Sequence, residues 1–239
     1  MFKKLFLAAA LSFLAATAFA QVNLQVFYDF GKDRKYVTTT FEMFKGDRFG
    51  DTFLFIDHYY ATQAQRDAKQ ASAINGSYFE IERGINFWQE TKLGGLSAMV
   101  EYDGSTWGAG VFCFGAKYFL HSKDYRNTFT LALLYDLHIG VGKANVPIKF
   151  SGVWAFNDLF GAKGLTFKGF IDIWGNNSEF ASGAKAYWSL LTEPQLWYCV
   201  GQWFKCEHLN IGGEIELSAN FAGHEGFMCN PCLGIKWEF

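Results

Sequence analysis

Beyond residue 21, apolar and polar residues alternate with a period of two in one stretch after another. That period belongs to strands with one apolar and one polar face. The final stretch shows it most simply: Phe239, Trp237, Ile235 and Leu233 alternate with Glu238, Lys236, Gly234 and Cys232. Twelve such stretches are read, over 22–30, 36–44, 51–60, 77–90, 96–103, 108–120, 127–138, 146–156, 165–174, 188–200, 209–221 and 227–239. Segment 61–73 is polar, alanine-rich and without alternation, so it is expected to be a long loop with a helical turn. A second long loop is expected over 175–184.

Twelve is an even number, so both ends of a closed ring of these strands fall on one side. The expected fold is all-β: a twelve-stranded antiparallel transmembrane β-barrel of the bacterial outer membrane, occupying residues 21–239 as one domain. With a periplasmic start, the long loops 61–76 and 175–186 both lie outside, and the turns near 46–50, 92–95 and 201–207 lie in the periplasm. Lys3 and Lys4, the apolar run 5–14 and Ala18-Phe19-Ala20 form a secretory signal peptide over 1–20. Leu233, Ile235, Trp237 and Phe239 resemble the carboxy-terminal signal that the barrel-assembly machinery reads. The expected location is integral to the outer membrane.

Composition agrees. The chain holds 27 Phe, 11 Tyr and 8 Trp but only three prolines, with mean hydropathy near zero. Such a balance suits a barrel whose outer face alone is apolar. Without Lys3 and Lys4 the chain has 19 basic residues against 23 acidic ones. That balance argues against nucleic acid as a partner. The five cysteines lack the paired motifs of a zinc site, and neither a metal nor a cofactor is expected. Cys199 with Cys206, or Cys229 with Cys232, are candidate pairs, and Cys113 is an inward filler.

The inward parity is rich in acids: Asp29, Glu42, Asp57, Glu80, Glu82, Glu101, Asp103, Asp136, Asp172, Glu193, Glu214, Glu216 and Glu238 face Lys117, Lys149, Lys168 and Lys236. Among them stand Phe27, Phe53, Phe55, Tyr78, Trp88, Phe170, Trp174 and Trp197. Carboxylates accept hydrogen bonds from hydroxyls and aromatic faces stack on flat rings, a combination suited to a small neutral solute with a planar face. Arg83 has lipid-facing parity. A bulge at Gly84 is expected to turn it inward toward Glu80 or Glu82.

Three stretches, Phe79-Glu80-Ile81-Glu82 with Arg83, Phe170-Ile171-Asp172-Ile173-Trp174-Gly175 and Gly50-Asp51-Thr52-Phe53-Leu54-Phe55-Ile56-Asp57, resemble the Tsx-like nucleoside-specific channel-forming proteins. Together with Leu191-Thr192-Glu193-Pro194-Gln195-Leu196-Trp197-Tyr198 they resemble more closely the uncharacterised Tsx-like outer-membrane relatives. The resemblance implies a twelve-stranded barrel passing nucleosides through a narrow pore. It implies that Glu80, Glu82, Phe53, Phe55, Asp57, Asp172 and Trp174 line that pore.

The expected function is therefore passive diffusion of small neutral solutes, nucleosides first, and not catalysis. The alternatives are a plugged barrel acting in surface binding or structure, and a barrel lipid hydrolase. The hydrolase needs a nucleophile and a base in contact. Of the histidines 58, 121, 138, 208 and 224, His58 faces outward but has no outward serine on its own strand.

Overall fold

A computed structural model describes residues 20–32, 34–108, 110–139 and 144–239. The expected signal peptide, apart from Ala20, lies outside the described residues. The strands are β1 (Gln21–Asp29), β2 (Val37–Asp47), β3 (Gly50–Tyr60), β4 (Ile74–Ile85), β5 (Leu96–Ser105), β6 (Gly110–His121) and β7 (Asn127–Ile139), followed by β8 (Ile148–Asn157), β9 (Leu165–Glu179), β10 (Lys185–Thr192), β11 (Gln195–Cys199), β12 (Leu209–Ala219) and β13 (Phe227–Glu238). Apart from β10 and β11, which do not pair with each other, successive strands pair antiparallel, and β13 pairs with β1 through Leu24↔Trp237 and Val26↔Ile235, closing the ring. Strands β10 and β11 both sit between β9 and β12, so they are two halves of one stave, and the barrel has twelve.

The break between those halves falls at Glu193-Pro194, because a proline has no amide hydrogen to donate to the ladder. The Pro194 carbonyl still accepts from the Ile215 amide at 3.1 Å. The interrupted backbone presses against β9, where a Cβ on Gly169 would stand 2.5 Å from the Glu193 carbonyl oxygen. Glycine is required there by close approach.

The two faces separate as the period of two demands. Outward side chains such as Leu133, Tyr135, Leu233, Ile235 and Phe239 are at least half exposed, whereas inward Gln25, Glu101, Cys113 and Trp197 are almost wholly buried. A surface this apolar needs lipid against it, and a closed ladder leaves no backbone group unpaired in the hydrocarbon. No helix among the described residues is long and apolar enough to cross a membrane, so the crossing is made by strands. Leu133 sits midway along β7, between Ala116 and Phe150 on the outer face. Leu133→Arg is expected to cost ~2–4 kcal/mol of stability, read as a lower urea midpoint for the barrel in lipid vesicles.

Several expectations are corrected. Strand β4 ends at Ile85 rather than Glu90, because the Asn86 side chain donates to the Gly94 carbonyl (2.6 Å) and accepts from the Trp88 amide (3.0 Å), organising a turn. Strand β9 runs on to Glu179 and pairs there with Lys185, which shortens the second loop to 180–184. The loop after β3 does carry its helical turn, α1 (Gln63–Asp67), capped reciprocally by Thr62 and Gln65. All five cysteines are free thiols. Cys229 points outward and Cys232 inward, so a strand keeps them apart.

Arg83 is the clearest correction. The β3–β4 and β4–β5 ladders run in unbroken register through it, with Thr52↔Arg83 and Arg83↔Val100, so no bulge forms and the side chain stays on the outer face. It tolerates that face because it lies near the strand's end. Its guanidinium donates to both oxygens of Asp47 (2.8 and 3.0 Å) and to the Thr52 hydroxyl (3.0 Å). Gly84 serves the interior instead, since a Cβ there would meet Lys117 Cε at 2.7 Å and Asp51 Oδ2 at 2.8 Å.

Candidate functional site: the barrel interior

Three groups of side chains fill the bore. At the end away from the termini, the turn after β1 sends Arg34 inward. Its guanidinium donates to both oxygens of Glu216, each at 2.6 Å, and to Asp29 Oδ2 at 3.1 Å. Asn230 donates to the same Glu216 (3.1 Å), and the Gly31 amide donates to Asp29 (2.6 Å). Burial works against the arginine's charge, but the Glu216 pair outweighs it and raises the guanidinium's pKa further. A two-pronged guanidinium–carboxylate contact of this kind is geometrically demanding as well as strong.

Midway along the wall made by β4 to β9 lies a second group. Lys149 Nζ donates to Glu101 Oε1 (2.6 Å) and stands 3.1 Å from Asp172 and 3.9 Å from Asp103. Lys117 bonds Asp51 (2.5 Å) and stands 3.8 Å from Glu82. The ladder sets Glu82, Glu101, Cys113 and Asp136 side by side on four consecutive strands. Beneath them Met99, Cys113, Ala132 and Leu134 form a small apolar pad.

The third group runs along β2, β3, β9 and β11. Phe53, Phe55 and Tyr78 form a ladder of tilted rings 5.6–6.0 Å apart. Lys168 spans the bore to Glu42 (2.8 Å), which also accepts from Asn23 (3.1 Å). Asp57 accepts from Thr40 (2.5 Å), and Gln195 joins Glu214 (2.8 Å) to the indole of Trp197 (2.9 Å). Trp197 packs on Phe27 at 5.6 Å and lies under the Lys236 ammonium at 5.2 Å.

Burial differs around the ring. Residues of β1 and β13, such as Gln25, Phe27, Asn230 and Lys236, are sealed, while Phe53, Phe55, Asp57, Tyr78, Glu80, Phe170, Glu193 and Glu214 point inward yet keep partial exposure. A narrow solvent-accessible seam therefore follows β3, β4, β9 and β12, with Glu193 at the break between β10 and β11. The cavities of note at the far rim are small. One of about 50 Å³ lies between Arg34, Phe221 and His224, and a shallower one of about 290 Å³ lies by Asn145 and Tyr187.

Phe27, Asp29, Phe53, Phe55, Asp57, Tyr78, Glu80, Glu82, Phe170, Asp172, Trp174, Glu193, Trp197, Glu214 and Glu216 all lie on the inner parity; Arg83 alone does not. They do not form one site: Trp174 meets Phe221 at 5.7 Å, apart from the Phe53–Phe55–Tyr78 ladder. Arg34 was not signalled, because turn residues carry no parity. Nor was the partner of His58. Its Nδ1 lies 2.7 Å from Ser77 Oγ, on the neighbouring strand in direct register.

A closed ring with an apolar exterior and an acid-rich interior whose side chains are partly solvent-accessible defines a transmembrane β-barrel of the outer-membrane kind. The chain belongs to the family described as a domain of unknown function (DUF5020), whose pattern it matches over residues 20–239. No curated protein matches it. Among solved structures it is similar to the NanC porin, with a TM-score of 0.57 and 10% identity over 91% of this chain and 100% of that one. It is also similar to outer membrane phospholipase A from Escherichia coli, with a TM-score of 0.52 and 9% identity over 92% and 97% of the two chains. One neighbour is a porin and the other a phospholipase, so the shared fold does not choose between transport and catalysis.

Proposed function

We propose that the protein is a porin-like channel of the outer membrane for small neutral solutes, with nucleosides the first to test. The observation that carries this reading is the partly exposed seam lined by the Phe53–Phe55–Tyr78 ladder and facing carboxylates. Flat apolar rings find stacking partners there, and hydroxyls find acceptors. The excess of carboxylates repels phosphates and sulfates and favours cations in any ionic current. The likeness to Tsx-like channels supports the same solute class. The seam as described admits water, so passage requires the ladder rings to turn aside.

Single-barrel conductance in planar bilayers tests this. The expected result is a small, cation-selective current reduced by added adenosine, and enlarged several-fold in Phe55→Ala. No conductance in either the wild type or Phe55→Ala would sink the channel.

That outcome would leave a sealed barrel, a second reading favoured by the tight packing of β1 and β13 around Gln25 and Asn230. The His58–Ser77 contact gives the hydrolase reading its one support. Among the described residues no carboxylate bonds the imidazole, so the third member that orients a catalytic base is missing. Labelling of Ser77 by a fluorophosphonate would revive it.

A further inference from the structure

We propose that the wall of the bore holds a first-row divalent transition ion, zinc being the simplest probe, bound by Glu101, Asp103 and Cys113. Donor atoms of these three lie within 4.8 Å of one another, close enough for one ion to meet all of them. Glu101 also belongs to a second trio, with Glu80 and Glu82, whose oxygens converge within the same span. A shared carboxylate places further oxygens beside the first three.

Proximity of acids alone does not make a site; the unpaired buried oxygens around them supply the second observation. Asp136, 4% exposed, lies beside Cys113 in the ladder and has one oxygen without a hydrogen-bond partner. Asp103 and Asp172 each leave one buried oxygen unpaired in the same cluster, and Nε2 of His138, two residues from Asp136, is also buried and unpaired. Buried polar atoms are ordinarily satisfied, and a cluster of orphaned carboxylate oxygens matches the needs of a cation.

Charge gives the same answer by another route. Glu101, Asp103 and Asp172 share Lys149, while Lys117 is divided between Glu82 and Asp51. A divalent ion supplies two positive charges where the lysines supply too few.

The donor set selects the ion. A thiolate suits zinc and its neighbours in the first transition row, whereas calcium and magnesium take oxygen alone. On binding, the Cys113 thiol gives up its proton to solvent and its sulfur becomes a ligand. No zinc motif appears in the sequence because Cys113 on β6 joins the two carboxylates of β5 by register and not by spacing. The site is independent of whether the bore conducts.

The test uses the full folded barrel in detergent, stripped by chelator and titrated with cobalt(II) and zinc. One equivalent of cobalt(II) is expected to give a near-ultraviolet thiolate charge-transfer band, which zinc removes by displacement. Cys113→Ser is expected to abolish the band. Glu101→Gln is expected to weaken zinc binding at least tenfold, and Lys149→Met to strengthen it by removing the competing ammonium. Absence of the band in the wild type, or zinc affinity unchanged in both Cys113→Ser and Glu101→Gln, would overturn the proposal. Binding of calcium or magnesium without a thiolate signature would overturn the choice of ion.

Discussion

Lys149→Met, in metal-free buffer, is expected to lower the stability of the barrel by about 3–5 kcal/mol, the cost typical of leaving a buried ionic partner uncompensated. Lys149 is 6% exposed and Glu101 2%, and the 2.6 Å bond between them is the shortest of the lysine's contacts. Asp172 and Asp103 lose the same ammonium. Methionine nearly matches the lysine stem in volume, so the loss reflects charge and not a cavity. The control is Lys149→Met combined with Glu101→Gln, which removes one charge of each sign. It is expected to recover part of the loss, because replacing both members of a buried pair costs less than orphaning one. Urea titration in lipid vesicles, followed by tryptophan fluorescence, measures both. Equal loss in the single and double variants would show that the pair does not act as a pair.

The same cluster shows how far the sequence could be read. Parity along each strand placed Lys149, Glu101, Asp103 and Asp172 on the inner face, since a period of two has only two outcomes and the outer one is closed to charge by lipid. Parity does not say which inner residues meet. Glu101 and Cys113 come together because β5 and β6 pair in one register, and a shift of two residues would keep every side chain on its face while separating the two. His58 and Ser77 went unpaired for that reason.

Arg83 failed differently. Lipid forces a charge inward only at mid-depth, whereas Arg83, two residues from the end of β4, reaches Asp47 in the neighbouring hairpin. Strand ends were the least legible feature, as at Asn86, where a side-chain hydrogen bond and not the apolar pattern stops the ladder. Residues in turns carry no parity at all, and the most consequential of them is Arg34.

Arg34→Gln is expected both to loosen the mouth of the barrel and to enlarge its current. Arg34 is the cation that holds Glu216 and Asp29, whose side chains are only 10% and 3% exposed, and it ties the turn after β1 across to β12. Glutamine keeps a donor but loses the charge and the second prong, leaving two buried carboxylates to repel each other. The expected loss of stability is on the order of 3 kcal/mol. It should fall mainly on the rim, because the sealed residues below, such as Gln25 and Trp197, do not touch the guanidinium. Released from Glu216, the turn moves off the opening and the uncompensated acids draw cations inward. Conductance is therefore expected to rise, with selectivity shifting further toward cations. Adding Glu216→Gln removes the extra negative charge while the turn stays untethered. If the double variant keeps the larger current but loses the added selectivity, the tether and the charge act separately. A current unchanged in both would place the constriction below the mouth, at the Phe53–Phe55–Tyr78 ladder.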